Sequence, residues 1–162
     1  AALNIRRDVR LLHVGPLVDL PFPANEPRIL HLDPVDQRQL AELYHRARFL
    51  VLASREEGLS VVLAQALACG LPVLCTTRTG GEDLVGMIDC PEAVIVVEPD
   101  SSRALAEGMA RAFAISLKLR GKDLLGASGR RNLSWAAYGH RYGMRLEALV
   151  AQSSTDSKGV QG

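Results

Sequence analysis

Ser54-Arg55-Glu56-Glu57-Gly58-Leu59-Ser60-Val61-Val62-Leu63-Ala64-Gln65-Ala66-Leu67-Ala68-Cys69-Gly70-Leu71-Pro72 places a polar loop, a helix start and a helix stop in one short stretch. Ser60 is positioned to offer its side-chain oxygen to the first amides of an apolar helix that runs to Gly70, and Pro72 forbids its continuation. Such a helix start presents backbone N–H groups to an anion. Aligned peptide dipoles place roughly half a positive charge there, and a glycine alongside lets a phosphate approach the backbone closely. Glu56 and Glu57, directly before Gly58, suit hydroxyl groups instead. Phosphate beside hydroxyls is the chemistry of a sugar nucleotide.

Outward from this stretch, short apolar runs alternate with helical patterns. Upstream, Phe49 to Ala53 reads as a strand whose carboxyl end feeds the glutamate loop, and Asp36-Gln37-Arg38-Gln39 is a capping box with Val35 and Leu40 as its staple. Leu40, Leu43, Tyr44 and Ala47 share one face of the helix that follows. Val9 to Val14 and Arg28 to Leu32 are two further short strands. Downstream, Pro72 to Cys75 is a strand leading into Thr76-Thr77-Arg78-Thr79-Gly80-Gly81-Glu82-Asp83, a second polar loop with a glycine pair, and Leu84 to Ile88 is one helical turn or two. Ala93 to Val97 is a β-branched strand, and Asp100 or Ser101 caps a helix in which Leu105, Met109, Ala112, Phe113 and Ser116 share a face. Ser134 caps a last helix expected to run to about Ala148, with Trp135, Tyr138 and Tyr142 as its packing residues. Residues 151–162 are expected to be a disordered tail after a single domain over 1–150. Strands alternating with helices define an α/β class, Rossmann-like, with a mainly parallel sheet flanked by helices. Both polar loops then lie outside the carboxyl ends of strands, where ligands bind in open α/β sheets.

The totals exclude several classes. With 162 residues, 19 basic and 18 acidic side chains, the chain carries no electrostatic footprint for nucleic acid, and 48% apolar content argues against disorder. The first residues carry three arginines and no long apolar run, and Gly70 and Pro72 break the most apolar later segment, so neither a secretion signal nor a membrane span is expected. Cys69, Cys75 and Cys90 are an odd number without a C-x-x-C pair, so reduced thiols and a cytoplasmic setting are expected, without a zinc site. His13, His45 and His140 show no ligand spacing, so no metal is expected.

The central stretch closely resembles the signature of retaining glycosyltransferases of the glycogen-synthase-like group, family 4, whose wording is S-x-x-E-G followed by E-A-M-A-x-G-x-P-V. The resemblance extends upstream through Leu11 to Pro16 and Ile29 to Tyr44. Downstream it extends through Gly80-Gly81, Pro99-Asp100 and Ser134-Trp135. It implies the carboxyl-terminal, donor-binding half of a GT-B fold that binds a nucleoside diphosphate sugar without a dedicated metal or further cofactor. It also implies a glycosyl acceptor and an amino-terminal acceptor domain on the same or another chain. Glu57 corresponds to the first glutamate of the family's E-x7-E motif, near the donor sugar. Gln65 falls where the second glutamate grips the ribose. The helix-end amides around Ser60 and Val61, with Gly58 and Leu59 before them, and the amides at Gly80 and Gly81 are the candidates to meet the diphosphate, and the resemblance places His31 beside the nucleotide base.

The chain also departs from that pattern. Glutamine at 65 keeps an acceptor oxygen, loses the charge and gains a donor amide, a change expected to cost on the order of 1 kcal/mol of ribose binding. The family's first strand, with its glycine-rich turn, has no counterpart before Val9. Nor do the arginine and lysine that neutralise the diphosphate, so a partial domain is expected. Asp33 stands where the family commonly has glycine, and the acid after Gly80-Gly81 comes one residue early. Residue by residue, other readings stay open: Gln65 as a tie between its helix and a neighbouring segment, the glycine pair as a tight turn, and His31 as a histidine satisfied at the core's edge. At the level of function, a non-catalytic nucleotide-sugar-binding or scaffold domain and a GT-B sugar-nucleotide epimerase stand beside the transferase.

Overall fold

The computed structural model describes residues 9–17, 22–23, 25–55 and 60–156, with side chains to residue 148. Among the described residues five strands, β1 (Leu11–Val14), β2 (Ile29–Leu32), β3 (Leu50–Leu52), β4 (Val73–Thr76) and β5 (Val94–Val97), all run parallel to their neighbours. They divide into a β1-β2 pair, with Leu11 opposite Ile29 and His13 opposite His31, and a β3-β4-β5 sheet. Among the described residues there are six α-helices, α1 (Gln37–Arg46), α2 (Val61–Ala68), α3 (Gly81–Val85), α4 (Ser102–Lys118), α5 (Gly126–Asn132) and α6 (Trp135–Asp156), and a 3-10 turn at Pro91–Ala93.

The alternation of side chains along the three-stranded sheet builds two cores. Leu50 and Leu52 of β3, Val73 and Cys75 of β4, and Val94 and Val96 of β5 face one side, against Leu63, Ala66 and Leu67 of α2 and Leu84 of α3. Val51, Leu74, Ile95 and Val97 face the other, against Leu105, Met109 and Ala112 of α4. Strand β4 is buried at every residue. Among the described residues the β1-β2 pair is less covered: Leu12, Leu30 and Leu32 are exposed.

The local signals account for most boundaries. The capping box forms, with Gln39 N donating to Asp36 Oδ1 at 2.8 Å and Asp36 N to Gln39 Oε1 at 3.2 Å. Ser101, rather than Asp100, caps α4 through Ala104 N at 3.1 Å, and Ser134 caps α6 through Ala137 N at 3.1 Å. Three expectations need correcting. α3 begins at Gly81, earlier than Leu84, because Gly80 turns the chain in the left-handed region and Glu82 and Asp83 favour a helix start. α6 continues through Asp156, so residues 151–156 are helical and not part of a tail, since no glycine or proline interrupts the chain between Ala148 and Gly159. Residues 157–162 lie outside the described residues. Trp135, Tyr138 and Tyr142 are exposed instead of packed beneath the helix, and contact one another, Trp135 edge-on to Tyr138 at 6.0 Å and Tyr138 stacked on Tyr142 at 6.3 Å.

The uneven cover sets a contrast in stability. Leu74→Ala, at a fully buried side chain, is expected to cost about 2–5 kcal/mol in urea unfolding, whereas Leu12→Ala on exposed β1 is expected to cost under about 1 kcal/mol.

Candidate functional site

Three loops converge at the carboxyl end of the β3-β4-β5 sheet. The Thr76 hydroxyl at the end of β4 donates to the Ser54 carbonyl after β3. Ser60 N, before α2, donates to the Thr79 carbonyl before α3 at 3.3 Å. Thr77 N donates to Val97 O at 3.1 Å, and the exposed Arg55 guanidinium meets Asp100 Oδ1 at 3.0 Å, tying in the loop after β5. The starts of α2 and α3 are thereby held side by side, with Thr79 fully buried between them and its hydroxyl donating to Thr76 O at 2.7 Å.

Within this frame, Ser60 is buried at the N-cap of α2, yet its side chain makes no capping bond, contrary to expectation. Its backbone carries the anchoring, the amide reaching Thr79 and the carbonyl accepting Leu63 N at 3.1 Å. Val61 opens the helix and is exposed. The first amides of such a helix have no intrahelical acceptor. Gly80 adopts φ +75°, which side chains disfavour. Gly81 is buried, and a Cβ there would collide with Cys75 Sγ and lie 3.3 Å from a Val96 methyl. Both glycines therefore have structural reasons to be glycine, and both set the backbone of α3's first turn.

Gln65 is half-buried on α2, its Nε2 donating to Gln37 Oε1 at 2.9 Å across to the first residue of α1. His31, near the carboxyl end of β2, shares a 3.1 Å Nδ1 to Nδ1 hydrogen bond with His13, its register partner, and its Nε2 lies 3.6 Å from Asp33. One imidazole of that pair must donate and the other accept. Arg78 is exposed in the turn after β4. Glu57, Gly58 and Leu59 lie outside the described residues, as does Glu56. Among the described residues no group of three or more His, Cys, Asp or Glu is placed to hold a metal. Burial pushes the thiols of Cys69, Cys75 and Cys90 above their usual range, which keeps them protonated and poor nucleophiles. Nothing in the sequence marked Thr76 and Thr79, or the pairing of Arg55 with Asp100, as joining the loops.

Residues 1–114 match the family described as "Glycosyl transferases group 1". The chain belongs to that family. Among relatives, it is 32% identical over 78 residues to O-antigen chain mannosyltransferase B of Escherichia coli. It is 34% identical over 77 residues to the "Putative teichuronic acid biosynthesis glycosyltransferase TuaC" of Bacillus subtilis (strain 168). Each alignment covers 48% of this chain and 19% of the relative, so the chain spans about a fifth of those proteins' length where they match. Among solved structures, sucrose-phosphate synthase from Thermosynechococcus elongatus superposes with a TM-score of 0.56 and 28% identity, over 77% of this chain and 31% of that one. The fold of this glycosyltransferase chain is accordingly the Rossmann-like one of the GT-B group. No helix among the described residues is long and apolar enough to cross a membrane.

The loop frame of this family member can be probed directly. Thr79→Val removes a buried hydroxyl bond and is expected to cost about 1 kcal/mol, with faster amide hydrogen exchange at Ser60 as the local readout. Gly81→Ala is expected to cost about 1–3 kcal/mol by crowding Cys75, seen as a lowered urea midpoint.

Proposed function

We propose that this chain supplies the donor-binding half of a retaining glycosyltransferase, which transfers a sugar from a nucleoside diphosphate sugar to an acceptor and works with an amino-terminal acceptor domain. The observation that carries the reading is the hydrogen bond from Ser60 N to Thr79 O, which brings two helix starts together at the strands' carboxyl ends. Family membership supports it independently.

In this reading Ser60 holds the loop through its amide bond to Thr79 O, and the amides of Val61 and Val62 and at Gly80 and Gly81 stabilise charge on the leaving diphosphate, a task suited to fixed backbone dipoles because they need no reorganisation during the reaction. Glu57 orients the sugar by accepting from its hydroxyls, with Gly58 and Leu59 completing the loop. His31 lies toward the base. Gln65 contacts the ribose through its amide while bonded to Gln37. The relatives named for mannosyl transfer and teichuronic acid synthesis support a glycosyl acceptor.

Saturation-transfer NMR with UDP, GDP and ADP, each alone and as its sugar derivative, tests the reading. Glu57→Ala is expected to weaken the sugar-bearing ligands at least about tenfold and leave the bare diphosphates unchanged. Gln65→Glu is expected to strengthen nucleotide binding by less than about tenfold, about 1 kcal/mol, by restoring a charged acceptor. An absence of binding by every ligand sinks the reading for this chain.

A further inference from the structure

At the opposite end of the sheet, where β3 and β4 begin, the chain forms an open cleft of about 660 Å³. Its floor is Cys69 to Pro72, and its walls are the end of α1 and the turn after α4. Arg46, Arg48, Arg120, Lys122 and Arg130 line it with His45, against one carboxylate, Asp123. A chain whose formal net charge is +1 thus places a formal +4 in a single concavity, five cations against one anion.

Helix ends alone do not account for this. α1, α2 and α4 all terminate at the cleft, and three helix C-termini supply roughly half a negative charge each, about −1.5 together. About +2.5 of charge remains in excess. Local pairing does not consume it either. Elsewhere on the surface Arg28, Arg38, Arg55 and Arg103 each meet an acid, and within the cleft Arg130 meets Asp123 at 2.9 Å. Arg46, Arg48, Arg120 and Lys122 make no salt bridge among the described residues, and all four are exposed. The volume is that of a small-molecule site.

We infer that this cleft is a second anion site, taking a phosphate-bearing ligand with two or more negative charges. Guanidinium forks on both walls suit phosphate oxygens bidentately, and the unmatched charge of about +2.5 suits a ligand with two or more negative charges. The site lies a strand's length, roughly 13 Å, from the loops after β3 and β4, and its existence does not depend on what those loops bind. The ligand's phosphate is either free or carried on a lipid headgroup.

Amide NMR of the whole chain separates these sources. Inorganic pyrophosphate at millimolar concentration is expected to shift the Gly70 and Gly121 amides, which border the cleft, with affinity falling steeply between about 50 and 200 mM salt. Vesicles of phosphatidylcholine with phosphatidic acid, whose phosphomonoester can carry two negative charges, form the second arm. Signal loss there without a pyrophosphate shift assigns the site to a lipid headgroup. The triple substitution Arg48→Gln, Arg120→Gln, Lys122→Gln is expected to weaken binding at least tenfold, whereas Arg111→Gln, on α4 but outside the cleft, leaves it unchanged. Single Arg48→Gln and Arg120→Gln variants, each expected to weaken binding severalfold, serve if the triple variant loses its amide dispersion. Shifts confined to Gly80 and Gly81, no response in either arm, or unchanged affinity in the cleft variants would overturn the inference. Loss of nucleotide-sugar binding alone would not touch it.

Discussion

Strand β4 is the constraint on which the sheet's remaining structure depends. It is hydrogen-bonded on both edges, to β3 and β5, and buried along its whole length. A strand so placed has no face left for water, so each residue must suit the layer it points into. Val73 and Cys75 complete one core and Leu74 the other. Thr76 is the transition: still buried, it turns its hydroxyl to the Ser54 carbonyl and so changes apolar packing into loop organisation. A Val there would pack equally well and leave the Ser54 carbonyl without that donor. The same strand therefore fixes both the core and the spacing of the loops above it.

Parallel strands with helical returns also sort charge along the sheet axis. Helices α2 and α4 begin at the carboxyl ends of β3 and β5, and they end where strands begin. Amide-rich helix starts gather at one end and carbonyl-rich helix ends at the other. At the amino end the chain overcompensates the carbonyls with arginine and lysine around Gly70 to Pro72. At the carboxyl end, the joints with buried partners are backbone or hydroxyl bonds, and the ion pair there, Arg55 with Asp100, is largely exposed and contributes little. Rigidity in the loops rests on short-range polar bonds beside buried groups, which salt does not screen.

Sequence reading was most reliable where the signal is local. The Asp36 to Gln39 box, the β-branched run at Val94 to Val97 and the stop at Gly70-Leu71-Pro72 each act within a few residues, and each is present. It was least reliable where a partner is distant. Thr76 with Ser54 spans 22 residues and Arg55 with Asp100 spans 45, and neither leaves a periodic trace. Ser60 shows the same limit at one residue: its type and position fit a side-chain cap, but a cross-loop bond to Thr79 decides its orientation. The aromatic residues of α6 were misread because helical spacing marks a shared face without saying what covers it. Around the candidate site, the helix starts that carry Val61 and Gly81 lie at strand ends where ligands bind in such sheets, while the loop of Glu57 lies outside the described residues.

Gln65 shows how one position can answer to two demands. Its amide nitrogen donates to Gln37 Oε1, a bond that a carboxylate cannot make, because an ionised glutamate only accepts. With glutamate at 65, Gln37 would have to turn its own amide inward to donate, and it stands at the first residue of α1, beside the capping box that fixes that helix. Glutamine thus matches the α1 to α2 contact as built. Its carbonyl oxygen can still accept from a ribose hydroxyl, at the neutral strength of such a bond rather than about twice that strength. The residue at 65 therefore serves the contact between two helices. Under the proposed donor-binding reading, a neutral acceptor at 65 leaves the backbone amides at the loop ends to carry more of the binding.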